Sequence, residues 1–113
     1  MLLANLTIYL LAISAGFKSQ EAKTVTCIAI HESGKNPHAV NKGLNKNGSA
    51  DIGLMQINDK IWLRGACKGL NLYRAYDNIK CAKIIHDIQG FTAWVAYNKY
   101  KKKCDSFNIQ GAL

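Results

Sequence analysis

Glu32 and Asp51 are the residues whose types and settings best suit them to act together. Glu32 is one of only two glutamates. It closes a run in which Ala22, Val25, Ala29 and Glu32 recur at helical spacing. A carboxyl group on such an apolar stripe is poorly hydrated, which disfavours the anion and raises its pKa. Asp51 lies instead among Asn45, Asn47, Ser49 and Gln56, a polar setting in which a carboxylate stays ionised. Acetal cleavage needs such a pair: one group protonates the leaving oxygen, and the other stabilises or captures the oxocarbenium-like centre. The plainer reading is a solvated carboxylate at a helix end and an aspartate in a turn. The residues alone leave the two readings in balance.

The elements that must position this pair can be read from caps and periodicity. A helix runs from an N-cap at Ser19, with Glu21 in its first turn, to about Ser33, where Gly34 closes it ahead of Pro37. From Asn36 to Asn58 the pattern is that of a small antiparallel sheet. Asn47-Gly48 is its turn signal, and Asp51 is on or beside a strand. Asp77 caps a helix over about Asn78–Gln89, with Cys81, Ile84, Ile85 and Ile88 as its buried stripe and Gly90 at its end. Thr92 caps a last helix that carries Trp94 and Val95 and ends near Lys101–Lys103. Met1–Gly16 is apolar and uncharged, which fits a signal-peptide core or a buried first helix. It lacks a basic start and is short of the roughly 20 residues that cross a bilayer. The better reading is therefore a helix that buries Leu3, Leu6 and Leu10. With no repeats and no linker, the expectation is one α+β domain over residues 1–113, its β-lobe at about 36–66.

A chain of 113 residues can build a real core. Its formal charge of +8 points to acidic partners: nucleic acid, an anionic membrane surface or an acidic polysaccharide. No zinc-finger spacing, RNA-binding signature or phosphate loop is present, so nucleic acid is set aside. The four cysteines, Cys27, Cys67, Cys81 and Cys104, contain no C-x-x-C pair. His31, His38 and His86 complete no zinc-ligand pattern. Two disulfides and a secreted protein fit this spacing, with three connectivities open; the other reading is four buried thiols in a cytosolic protein. Asn5-Leu6-Thr7 and Asn47-Gly48-Ser49 are glycosylation sequons by pattern only. His31 adjoins Glu32 but belongs to another helix face.

From about Thr24 to Cys104 the chain resembles the lysozyme superfamily. His31-Glu32-Ser33-Gly34, Asn36-Pro37 and Gly48-Ser49-Ala50-Asp51-Ile52-Gly53-Leu54-Met55-Gln56-Ile57-Asn58 form a long, specific pattern. It is shared between C-type lysozymes and lytic transglycosylases. Ile79-Lys80-Cys81-Ala82-Lys83-Ile84-Ile85 and Gly90-Phe91-Thr92-Ala93-Trp94-Val95-Ala96 resemble the C-type branch more closely.

The resemblance implies a helical lobe and a small β-hairpin lobe with a cleft between them. It implies Glu32 as general acid/base and Asp51 as nucleophile or electrostatic stabiliser. Asn45, Gln56 and Asn58 would hold the sugar, Trp62 would stack on it, and Ala93, Trp94 and Val95 would form the opposite wall. It also implies bridges Cys27–Cys104 and Cys67–Cys81. The function implied is a secreted, monomeric muramidase acting on peptidoglycan, with no cofactor, no calcium and no stable membrane insertion. Its alternatives are a lytic transglycosylase and a non-catalytic relative of the lactalbumin kind. The plain reading of Lys101–Lys103 is a solvated face; its functional reading is attraction to anionic bacterial wall polymers. Three departures stand out: relatives usually carry twice as many cysteines, the Leu63–Cys67 segment is short, and Ile61 replaces a second tryptophan.

Overall fold

The computed structural model describes residues 1–43 and 46–109. The first helix, α1, spans Asn5–Ser14 and packs against α2 (Ser19–Ser33) and α4 (Ala75–Gln89). It buries Asn5, Ile8 and Ala12, not the leucine line expected from the sequence. Leu3 is half-buried, and Leu6 and Leu10 are exposed. The reason is geometric: Leu6 and Leu10 stand two positions off the Ile8–Ala12 line, roughly 200° around the helix.

Helix α2 starts at Ser19, so its N-cap lies one residue before the expected one. Lys18 occupies the N-cap, and its amide donates to Glu21 Oε1 at 2.8 Å. The Ser19 hydroxyl is already engaged, 2.8 Å from Tyr9 Oη. Gly34 closes the helix in the left-handed conformation, φ 62°. Helix α4 likewise starts earlier than expected. Arg74 is its N-cap, while Asp77 sits in the first turn and accepts the Asn71 amide at 3.0 Å. Its buried side chains are Asn78, Ile79, Cys81, Ala82 and Ile85. Of the expected stripe, Ile84 is only half-buried and Ile88 is exposed in the last turn.

The expected single C-terminal helix is broken in three. A 3₁₀ turn spans Phe91–Ala93, and two short helices follow, α5 (Val95–Lys99) and α6 (Lys101–Asp105). Trp94 and Tyr100 have non-helical backbones between them. Thr92 caps nothing; its hydroxyl donates to the Gln89 carbonyl at 3.2 Å.

Between α2 and α4 lies an antiparallel sheet of three two-residue strands, β1 (Val40–Asn41), β2 (Asp51–Ile52) and β3 (Ile57–Asn58), in that order. Asp51 pairs with Asn41 on one side and Asn58 on the other. Asn47-Gly48 falls in the longer β1–β2 connection; the tight turn is Gly53–Gln56, between β2 and β3. A one-turn helix, α3 (Asp59–Trp62), follows β3. The cysteines pair as Cys27–Cys104, joining α2 to α6, and Cys67–Cys81, joining the segment after α3 to α4. Among the described residues, no helix is long and apolar enough to cross a membrane.

Candidate active site

Glu32 stands in the last turn of α2, on the side whose earlier members Val25 and Ala29 are fully buried. The carboxyl is itself half-buried, and Oε2 accepts the Ala96 amide from the start of α5 at 3.2 Å. Burial raises its pKa above the ordinary value. The Ala96 N–H works against that rise, and the Asp51 charge adds to it.

Asp51 is placed by sheet register. Asn58, its partner across β2–β3, donates from Nδ2 to Ser49 Oγ at 2.8 Å and to Asp51 Oδ1 at a longer 3.4 Å. Ser49 donates in turn to Asn47 Oδ1 at 2.6 Å. The other end of the Asn58 amide, Oδ1, accepts the Ile61 amide at 3.1 Å and so caps α3. One side chain thus orients the aspartate and starts the helix that carries Trp62.

Both carboxyl groups line one cleft of about 300 Å³. Gln56, Asn58, Trp62, Ala93, Trp94 and Val95 line it as well. Asn45 lies outside the described residues. Gln56 is in the turn and not in a strand. Its Nε2 donates to the Ala39 and Gly53 carbonyls at 3.2 and 3.1 Å, so this amide braces the sheet at the cleft wall. Val95 and Ala93 are exposed at the rim, whereas Trp94 is buried. His31 is absent from the lining and stacks on Tyr100, ring centroids 3.9 Å apart. Its pKa is lowered, first by burial and then by Lys103 and Lys99.

Sequence reasoning did not assign Ile57, Ile85 or Gln89 to the cleft, which they also line. Nor did it find the residue that ties α4 to the β2–β3 segment, Asn78. This fully buried amide accepts the Met55 N–H at 3.0 Å and donates to the Ile52 and Leu72 carbonyls, both at 2.9 Å. Met55 in turn offers its carbonyl to Trp94 Nε1 at 2.8 Å. Gly53 makes the close approach feasible, because a Cβ there would lie 2.3 Å from Asn78 Nδ2 and 2.4 Å from the Leu72 carbonyl. The available signal was an asparagine beside the apolar stripe of α4, where a buried amide must be fully bonded.

Among the described residues, no group of three or more His, Cys, Asp or Glu side chains could hold a metal ion. The cleft offers a carboxyl of raised proton affinity, a second carboxyl contacted by the Asn58 amide, and indole walls. That equipment suits a polyhydroxylated ring whose acetal oxygen accepts a proton.

The chain is similar to known proteins over most of its length. A family model described as a lysozyme-like domain matches residues 9–96. Lysozyme c-1 of Anopheles gambiae is 41% identical over 83 residues, 66% of this chain and 58% of that protein. The chain therefore spans less than two thirds of that relative's length. The milk isozyme of lysozyme C from Equus caballus is 35% identical over 102 residues, 80% of this chain and 78% of its own length. Among solved structures, a lysozyme from Litopenaeus vannamei has a TM-score of 0.71 at 28% identity, covering 98% of this chain and 93% of that one.

Proposed function

This chain belongs to the lysozyme-like family, on its C-type lysozyme branch, and from that footing we propose that it is a secreted muramidase. It hydrolyses the β-1,4 bond between N-acetylmuramic acid and N-acetylglucosamine in peptidoglycan. The observation that carries this reading is Glu32: a half-buried carboxyl with raised proton affinity, in one cleft with Asp51. Two carboxyl groups across one cleft are the established lysozyme arrangement, and nothing in it is new to this chain.

The residues divide the work as follows. Glu32 Oε2 is held by the Ala96 amide, which leaves Oε1 to carry the proton towards the leaving oxygen. Asp51, steadied by Asn58, captures or stabilises the glycosyl centre. Glu32, now ionised, takes a proton from water, which completes hydrolysis with retention. Trp62 supplies a flat apolar face to the sugar, and Ala93, Trp94 and Val95 form the facing wall. The charge of +8 draws the enzyme to an anionic wall surface, an effect that salt weakens.

Product analysis on purified peptidoglycan tests the reading. Reducing N-acetylmuramic ends, together with a loss of at least about a hundredfold in Glu32→Gln, support it. Products ending in a 1,6-anhydro sugar, with turnover retained in Asp51→Asn, would make it a lytic transglycosylase. A folded wild-type chain that releases no fragments would make it a non-catalytic relative.

A further inference from the structure

Among the described residues, the outer face of α1 has no partner. Five of its side chains are exposed: Leu6, Thr7, Leu10, Ile13 and Ser14. The three apolar ones, with Leu2 just ahead of the helix, fall at positions 2, 6, 10 and 13, which is one side of a helix. Their exposures are 61%, 41%, 53% and 38%, high for leucine and isoleucine side by side. No residue of α1 is ionisable at neutral pH.

Lysine-bearing segments neighbour both ends of this stripe. At its start, the Leu3 amide donates to the Lys35 carbonyl at 2.9 Å. At its end, Tyr76 donates from Oη to the Ser14 carbonyl at 3.4 Å, and Lys80 Nζ lies 5.4 Å from the Tyr76 ring centroid. Lys18 follows within four residues of the helix end, and its side chain is exposed.

We propose that this face of α1 docks flat on an anionic phospholipid bilayer, with Leu2, Leu6, Leu10 and Ile13 entering the headgroup boundary. Tyr76 and Lys18, Lys35 and Lys80 would lie at the polar level. Tyrosine and lysine favour that depth, and anionic lipid takes the apolar stripe and its cationic margins together. A second copy of the chain fits less well. Like patches meet in a two-fold dimer, so lysines would face lysines between partners of charge +8. At ten residues, α1 can lie on a bilayer but not span it. The proposal does not depend on the glycosidase reading, and its test uses no activity.

The test is cosedimentation of the full chain with vesicles of phosphatidylglycerol and phosphatidylcholine, beside vesicles of phosphatidylcholine alone. The expected result is binding to the anionic vesicles and a partition coefficient at least about tenfold lower in Leu6→Gln/Leu10→Gln, whose net charge is unchanged. Circular dichroism checks the fold of that variant. If it does not fold, an environment-sensitive dye on Leu10→Cys reads the same contact, and a blue shift on adding vesicles is expected. Absence of wild-type binding, binding unaffected by the leucine changes, or a dye that stays in water would overturn the proposal. So would a dimer that dissociates in the leucine variant while no vesicle is bound.

Discussion

Glu32 Oε2 accepts the Ala96 amide hydrogen at 3.2 Å, so the carboxyl at the end of α2 is held by the start of α5. A donated N–H favours the anion, yet the pKa of Glu32 is raised, because burial outweighs the hydrogen bond. The same contact therefore orients the carboxyl while burial keeps its proton affinity raised.

Removing the neighbouring charge should separate these causes. Asp51→Asn eliminates the smallest of the three influences on Glu32. The Glu32 pKa should fall in this variant but stay above the ordinary 4.5, since burial remains. Titration of the Glu32 carboxyl carbon by NMR reads it. A pKa at or below 4.5 would mean that charge, and not burial, protects the proton.

The raised pKa has a consequence for stability. The folded state binds the Glu32 proton more tightly than the unfolded chain does. Its contribution is fully present below the unfolded value of 4.5 and is lost as pH rises through the folded pKa. Glu32→Gln keeps an acceptor for the Ala96 amide and cannot ionise. It should therefore melt above wild type at neutral pH and coincide with it below 4.5. Melting curves between about pH 3 and about pH 8 check this.

Asn78 should matter more than its distance from the chemistry suggests. Asn78→Ala leaves the Met55 amide and two carbonyls without their partner, at a cost of at least about 3 kcal/mol. Trp94 emission should shift as Met55 loosens, because its indole nitrogen bonds the Met55 carbonyl. Gly53→Ala should be worse, since its Cβ meets Asn78 Nδ2 and the Leu72 carbonyl at a backbone φ of 78°. Combining the two changes should recover part of the loss, because only the Leu72 contact then remains. Urea unfolding of the three variants gives the coupling directly.

The two bridges should differ in worth. Cys27–Cys104 spans a sequence separation of 77 and Cys67–Cys81 one of 14. On chain entropy, losing the first should cost about 4.5 kcal/mol and losing the second about 3 kcal/mol. Denaturant midpoints of the paired Cys→Ala variants check the order. A larger cost for the short loop would place the stabilisation in native contacts and not in the unfolded chain.

Several features of this protein depend on local chemistry and were legible without coordinates. The α2 boundary at Gly34 follows from what glycine can adopt, and the Ala22–Glu32 stripe from helical periodicity. The long motif from His31 to Asn58 identified the family, and the α+β class followed from the alternation of patterns. What needed the tertiary structure was every choice between equivalent local options. Two sides of α1 are apolar, and only packing against α2 and α4 decided that Ile8 and Ala12 go inside while Leu6 and Leu10 stay in solvent. Ser19 is a good cap by type, but Tyr9 engages its hydroxyl from another helix. Asn78 looked like an ordinary helix residue, and became the tie between α4 and the β2–β3 segment only when Ile52, Met55 and Leu72 arrived around it. Short-range rules act on neighbours in the chain. The partners that bury a face or satisfy an amide come from tens of residues away, and no local pattern names them.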